Sequence, residues 1–102
     1  MIMPTIYLYL GFIFKFYSDE HEPIHVHAKH GGCETVFELI LDNGKIVEIH
    51  TRKVKGKKPL SENDLAEAYQ FVETYGKNIV EKWIKFFILK KKIRTTKISK
   101  RI

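Results

Sequence analysis

The chain has 102 residues, 44% of them hydrophobic and 13% aromatic, and a formal net charge of +6. That length suits one compact domain rather than two, and the composition excludes a disordered chain. Its single cysteine, Cys33, excludes an internal disulfide, so nothing points to an oxidising compartment and the cytoplasm is the default expectation.

The charge is divided along the chain. Residues 1–81 hold nine Lys and Arg against twelve Asp and Glu, whereas residues 82–102 hold nine basic residues and no acidic one. The most apolar run, Ile6 to Tyr17, is interrupted by Lys15 and falls short of the roughly 17 residues that span a bilayer. With no basic residue before it and no small-residue cleavage site after it, it does not read as a signal peptide. It reads as one or two strands, and no membrane association is expected.

Next, "IHVHAKH" alternates Ile24, Val26 and Ala28 with His25, His27 and Lys29, the period-two pattern of a half-buried strand. Gly31-Gly32 supplies the positive backbone angles of a two-residue hairpin turn. That turn predicts Ile24 opposite Leu39, Val26 opposite Phe37, Ala28 opposite Thr35, His25 opposite Glu38, His27 opposite Val36 and Lys29 opposite Glu34. His21 and Pro23 shape the entry to this strand, His30 is a turn residue, and Cys33 is expected as a small buried side chain.

After "DNG" at 42–44, a simple two-residue turn would set Val47 and Ile49 on the wrong face. A three-residue loop with Gly44 in the left-handed position is expected instead, pairing Leu39 with Val47, Phe37 with Ile49 and Val36 with His50. The same register sets Glu38 against Glu48, an unfavourable like-charge contact.

Beyond the connector, Ser61-x-x-Asp64 is a capping-box variant that starts a helix near Glu62. Leu65, Ala68, Tyr69, Val72, Tyr75, Ile79, Val80, Trp83 and Phe87 hold one helical phase across Gly76, favouring one long helix, kinked there, over two. The aromatic members of that stripe are expected as core against the sheet. The last segment, 90–102, is either an edge strand or a disordered arm. The whole chain, 1–102, is therefore expected as a single α+β domain. Residues 1–58 form a small antiparallel meander of three to five strands, and residues 60–89 form a helix that covers one face.

"MPTI" at 3–6, "GFIFKFY" at 11–17, "EHEPIHVHAKHGG" at 20–32 and Trp83 together resemble domain-of-unknown-function family 4160, a family of small bacterial proteins. The family's signature, near "DHNPPHFHAEYGG", maps onto Glu20, His21, Pro23, His25, His27, Ala28 and Gly31, and its usual start onto Met3. Glu20 stands for the family's Asp, Ile24 for its second Pro, Val26 for Phe, His30 for Tyr, Phe71 for Trp and Tyr75 for His. The last departure argues against a catalytic role carried by the helix. The resemblance implies a fold and a motif without an activity, and a gene setting like that of toxin–antitoxin pairs.

Three functional readings follow. His25 and His27 project from one strand face with Cα atoms about 6.5 Å apart, so with Glu38 and either His50 or Glu48 they could hold a divalent transition metal such as zinc. The same two histidines could instead act as acid and base on RNA, with Lys29 or Arg52 steadying the developing charge. The third reading takes the charge division directly. It is a basic binding module in which Arg52, Lys53, Lys55, Lys57 and Lys58, with Lys90, Lys91, Lys92, Arg94 and Lys97, engage RNA, DNA or a small acidic partner protein. A nucleic-acid partner would leave a steep salt dependence, and a protein partner would use the unpaired edge of the sheet.

Overall fold

In a computed structural model that describes residues 4–17 and 23–102, the strands are β1 (Thr5–Tyr9), β2 (Phe12–Lys15), β3 (Ile24–His30), β4 (Cys33–Asp42), β5 (Lys45–Lys53) and β6 (Thr96–Ile98). One helix, α1 (Glu62–Trp83), runs on through a π-type turn over Ile84–Ile88. Met3, Glu20 and His21 lie outside the described residues. The six strands form one sheet in the order β5-β4-β3-β2-β1-β6, antiparallel throughout except that β6 pairs parallel to β1. The expected α+β meander under a helix is present, with five strands before the helix, and a sixth is added after it. Of the two alternatives for the C-terminal segment, residues 96–98 take the edge strand.

The β3–β4 hairpin has the register that its glycine turn dictates, from Ile24 opposite Leu39 to Lys29 opposite Glu34. Gly31 and Gly32 both take positive φ, 55° and 82°. The β4–β5 register corrects the expectation. The turn is the two-residue Asn43-Gly44, with Asp42 opposite Lys45 and Leu41 opposite Ile46. A bulge at Val47 then shifts the pairing by one, so that Leu39 faces Ile49, Phe37 faces Thr51, Glu38 faces His50 and Val36 faces Arg52. Inserting one residue restores the face parity that the short turn would have broken. Val47 is left 56% exposed, and the Glu38/Glu48 contact is not made.

Helix α1 is continuous, with one non-helical residue, Tyr75 (φ −104°, ψ 15°), just before Gly76. Gly76 is buried, and a Cβ on it would come within 2.7 Å of Ile46 Cδ1, so the end of the Ile46 side chain packs into the space that a larger residue would fill. Ser61 caps the helix by accepting from the Asp64 backbone N–H at 3.2 Å. The Asp64 carboxylate does not complete the box. It accepts from His30 Nδ1 at 2.9 Å, so His30 ties the end of β3 to the first helical turn.

Under the helix, Phe71 has no exposed surface and touches the rings of Tyr7, Tyr9, Phe14 and Tyr75. This residue was absent from the expected stripe, yet it is the centre of the core. Burying such a ring is worth roughly 2–3 kcal/mol in water exclusion alone.

At the far edge, Lys82 reaches out of the helix to hold the C-terminal segment. Its Nζ donates to the Ile6 carbonyl (3.1 Å), the Arg94 carbonyl (2.6 Å) and Thr96 Oγ1 (2.9 Å), and lies 4.4 Å from the centre of the Tyr7 ring. Burial, and then the charge of Lys85, holds this ammonium below the ordinary lysine value. Thr95 adds a hydroxyl bond to the Thr5 carbonyl at 2.7 Å.

Candidate functional site

Alternation along β3 and β4 sends Ile24, Val26, Ala28, Phe37 and Leu39 into the core beneath the helix, and His25, His27, Lys29, Glu34, Val36 and Glu38 to the opposite, back face. Cross-strand pairing lines these up in rows. One row runs Lys97, Leu8, Ile13, Lys29, Glu34; the next Lys15, His27, Val36, Arg52; the third His25, Glu38, His50.

The middle of this face is not open surface. Glu34 is 1% exposed, His27 6% and Val36 fully buried. Tyr17, just past β2, stacks its ring on the His27 imidazole with centroids 3.8 Å apart. Tyr17 Oη donates to Glu34 Oε2 at 2.8 Å, and His27 Nδ1 donates to the same oxygen at 2.8 Å. The other oxygen, Glu34 Oε1, is buried and has no hydrogen-bond partner among the described residues. Burial pushes the Glu34 carboxyl up, but the bonds from Tyr17 and His27 and the charges of His27 and Lys29 outweigh it, leaving the group below its ordinary value. Such a carboxylate fixes the tautomer and orientation of the histidine that it faces.

Glu34 and Tyr17 were missed as partners of His27 in the sequence. The available signal was diagonal. Glu34 lies two residues before Val36, which faces His27, and diagonal neighbours on a sheet face remain within reach of long side chains.

The other proposed ligands do not converge in the same way. His25 Nδ1 donates to the Pro23 carbonyl, and its ring centre lies 6.4 Å from that of His27. Glu38 is the cross-strand neighbour of both His25 and His50, but Oε2 accepts from Arg52 Nε at 3.0 Å. His50 is exposed beside Glu48, 3.5 Å away. Among the described residues, no three His, Cys, Asp or Glu side chains are gathered so that they could hold a metal ion.

The ten proposed basic contacts are all exposed. They divide by position in the sheet. Arg52 and Lys53 end β5, the terminal strand at one side, and Lys55, Lys57 and Lys58 follow in the connector, where the Lys58 carbonyl accepts from the Glu34 N–H at 2.8 Å. Lys90, Lys91, Lys92 and Arg94 precede β6, and Lys97 lies in it, at the opposite side. Five strand spacings of about 4.8 Å separate β5 from β6, about 24 Å. Among the described residues, Arg52 is the only one of the ten in an ion pair, with Glu38. No helix among the described residues is long and apolar enough to cross a membrane.

A family model described as "Domain of unknown function (DUF4160)" matches residues 11–84, most of the chain. The chain belongs to this family. The DUF4160 span takes in β2 to β5 and the whole of α1, with the Tyr17, His27 and Glu34 group and the first basic cluster; β1, β6 and the second cluster fall outside it. Comparisons with curated proteins and with solved structures found no match.

Proposed function

We propose that this protein is a basic binding module that docks an acidic partner protein, of the kind paired in toxin–antitoxin arrangements. One observation carries the reading. Ten exposed cations, nine of them without a carboxylate partner among the described residues, flank the two open edges of the sheet. Unneutralised charge on a rigid scaffold attracts and orients a partner of opposite sign. A nucleic acid would need several phosphates neutralised along one track. Here the clusters lie about 24 Å apart, at opposite ends of the sheet and on no common track, which favours protein over nucleic acid.

The test is a titration with poly-L-glutamate and with a 20-nucleotide single-stranded RNA at 50 and 200 mM salt. Polyglutamate is expected to bind more tightly than RNA, and the triple variant Arg52→Glu, Lys53→Glu, Lys55→Glu to lose it. RNA binding that is tighter, with affinity falling steeply with salt, would transfer the function to nucleic acid.

A second reading, ribonuclease chemistry with His25 and His27 as acid and base, is supported by the Glu34 carboxylate on His27 Nδ1, the arrangement that orients a general base. The near-complete burial of His27 counts against substrate access. Cleavage of RNA that survives His25→Ala with His27→Ala would eliminate it.

A further inference from the structure

We infer that the acidic partner docks by adding a strand to β5, along the six residues Glu48–Lys53; this rests on the protein-partner reading above and specifies its geometry. β5 ends the sheet, and its pairing with β4 is regular from Glu48 opposite Ile40 to Lys53 opposite Thr35. The outward backbone groups of a terminal strand are a template for one more strand. The bulge at Val47 breaks the regular line and sets the limit of that template at Glu48. The opposite edge offers only the three residues of β6.

What lies beside β5 gives the occupant its chemistry. On the helix side the core is unfinished at this edge, where Ile46, Ile49, Tyr69 and Val80 are only partly buried. A groove of about 520 Å³ lies between α1 and the start of β5, just short of the bulge, with Ile46 and Val80 on its walls and Lys45, Lys77, Glu73 and Glu81 at its rim. A smaller one of about 210 Å³, lined by Ile46, Glu48, Ile49, Tyr69 and Glu73, continues it along the first residues of the template, so the apolar contacts lie at that end and the attraction for an acidic chain at Arg52 and Lys53. Residues 45–58 carry Lys45, Arg52, Lys53, Lys55, Lys57 and Lys58 against Glu48 alone. A second copy of this chain would bring the same positive cluster to the edge, whereas an acidic strand neutralises it.

Strand alternation then sets the partner's pattern. For an antiparallel partner, the residues opposite Ile49 and Thr51 face the helix side and are apolar. Those opposite His50, Arg52 and Lys53 are acidic, and the one opposite Glu48 is neutral. Read in the partner's own direction, this is Glu-Glu-Val-Glu-Val-Thr.

The experiment titrates the full chain with that hexapeptide, acetylated and amidated, and with a scrambled peptide of identical composition, following backbone amide resonances and hydrogen exchange. The ordered peptide is expected to bind at least 10-fold tighter than the scrambled one. It should shift and protect the amides of residues 48–53, and lose at least 10-fold in affinity in the double variant Arg52→Glu, Lys53→Glu. Shifts concentrated in residues 85–101 would overturn the inference. So would a self-associated protein whose β5 amides are already protected without peptide. Equal binding of both peptides, with polyglutamate still bound through Arg52 and Lys53, would sink strand addition while leaving the acidic-partner reading standing. Failure of both peptides and of polyglutamate would remove both.

Discussion

The two ends of the sheet carry similar charge on different foundations. At one end Arg52 and Lys53 ride on a nine-residue strand paired along its length with β4, and the charge continues into a connector tied back to Glu34. At the other, Lys97 sits on a three-residue strand, and the segment leading to it is held by side-chain bonds from Lys82 and Thr95. A count of lysines treats these ends as equal. The fold does not, because a cation on a long ladder presents a fixed geometry to a partner, while one on or before a three-residue strand gives mainly long-range attraction.

Perturbations that separate the ends, or loosen both together, test this contrast. Largest is Glu34→Ala in the middle of the sheet, which leaves the Tyr17 hydroxyl and the His27 imidazole without their shared carboxylate; breaking a buried pair of this kind costs about 3 kcal/mol. Denaturant unfolding should show that loss, and hydrogen exchange should quicken at β5 and β6 alike. The milder Glu34→Gln carries a pH signature. Because the folded carboxyl is depressed, the unfolded chain binds the proton more readily, so Glu34 adds stability above the ordinary carboxylate value. That contribution is lost as pH falls through the lower folded value. The glutamine variant should therefore lose less stability than the parent between neutral and acid pH.

Next comes Lys82→Met, which removes one donor from two backbone carbonyls and from Thr96, and is expected to cost about 2 kcal/mol. Here exchange should quicken at Thr96–Ile98 while the β5 amides bonded to β4 keep the rates of the parent. Loss of protection at both ends would show that they are not independent. Gly76→Ala should stay within about 1 kcal/mol of the parent, since the contact it makes is with the far end of the Ile46 side chain, which can turn aside, while alanine gains helix propensity. Its local readout is a shift of the Ile46 methyl resonance. Smallest is Val47→Thr at the exposed bulge, expected within about 0.5 kcal/mol in thermal unfolding and without effect on peptide binding.

Legibility in the sequence followed the reach of each signal. The β3–β4 hairpin could be read pair by pair, because two adjacent glycines fix a two-residue turn and alternation does the rest. The β4–β5 register could not, because a bulge costs one residue and leaves no mark in the alternation on either side of Val47. The helix and its kink were visible in the apolar period and Gly76, while Phe71 was passed over because its central position depends on Tyr7, Tyr9 and Phe14, more than fifty residues away. The histidines were placed on the right face. Their burial was not visible, because period two tells which side of a sheet a residue takes and says nothing of what covers that side. The proposed metal cluster rested on Glu38 beside His25 and on His50 beyond His27; the fold gives Glu38 to Arg52 and ties His27 to Glu34.

The parallel pairing of β6 with β1 joins Thr95 to Thr5, 90 residues apart in sequence. During synthesis the outer edge of β1 therefore stays bare while the rest of the sheet is already available to fold, and a late, long-range closure of this sort is slow. Through that interval Tyr7, Leu8 and Tyr9 form an apolar strand edge open to any passing chain. The lysines around β6 thus reach the edge of β1 only after that edge has been made and left open.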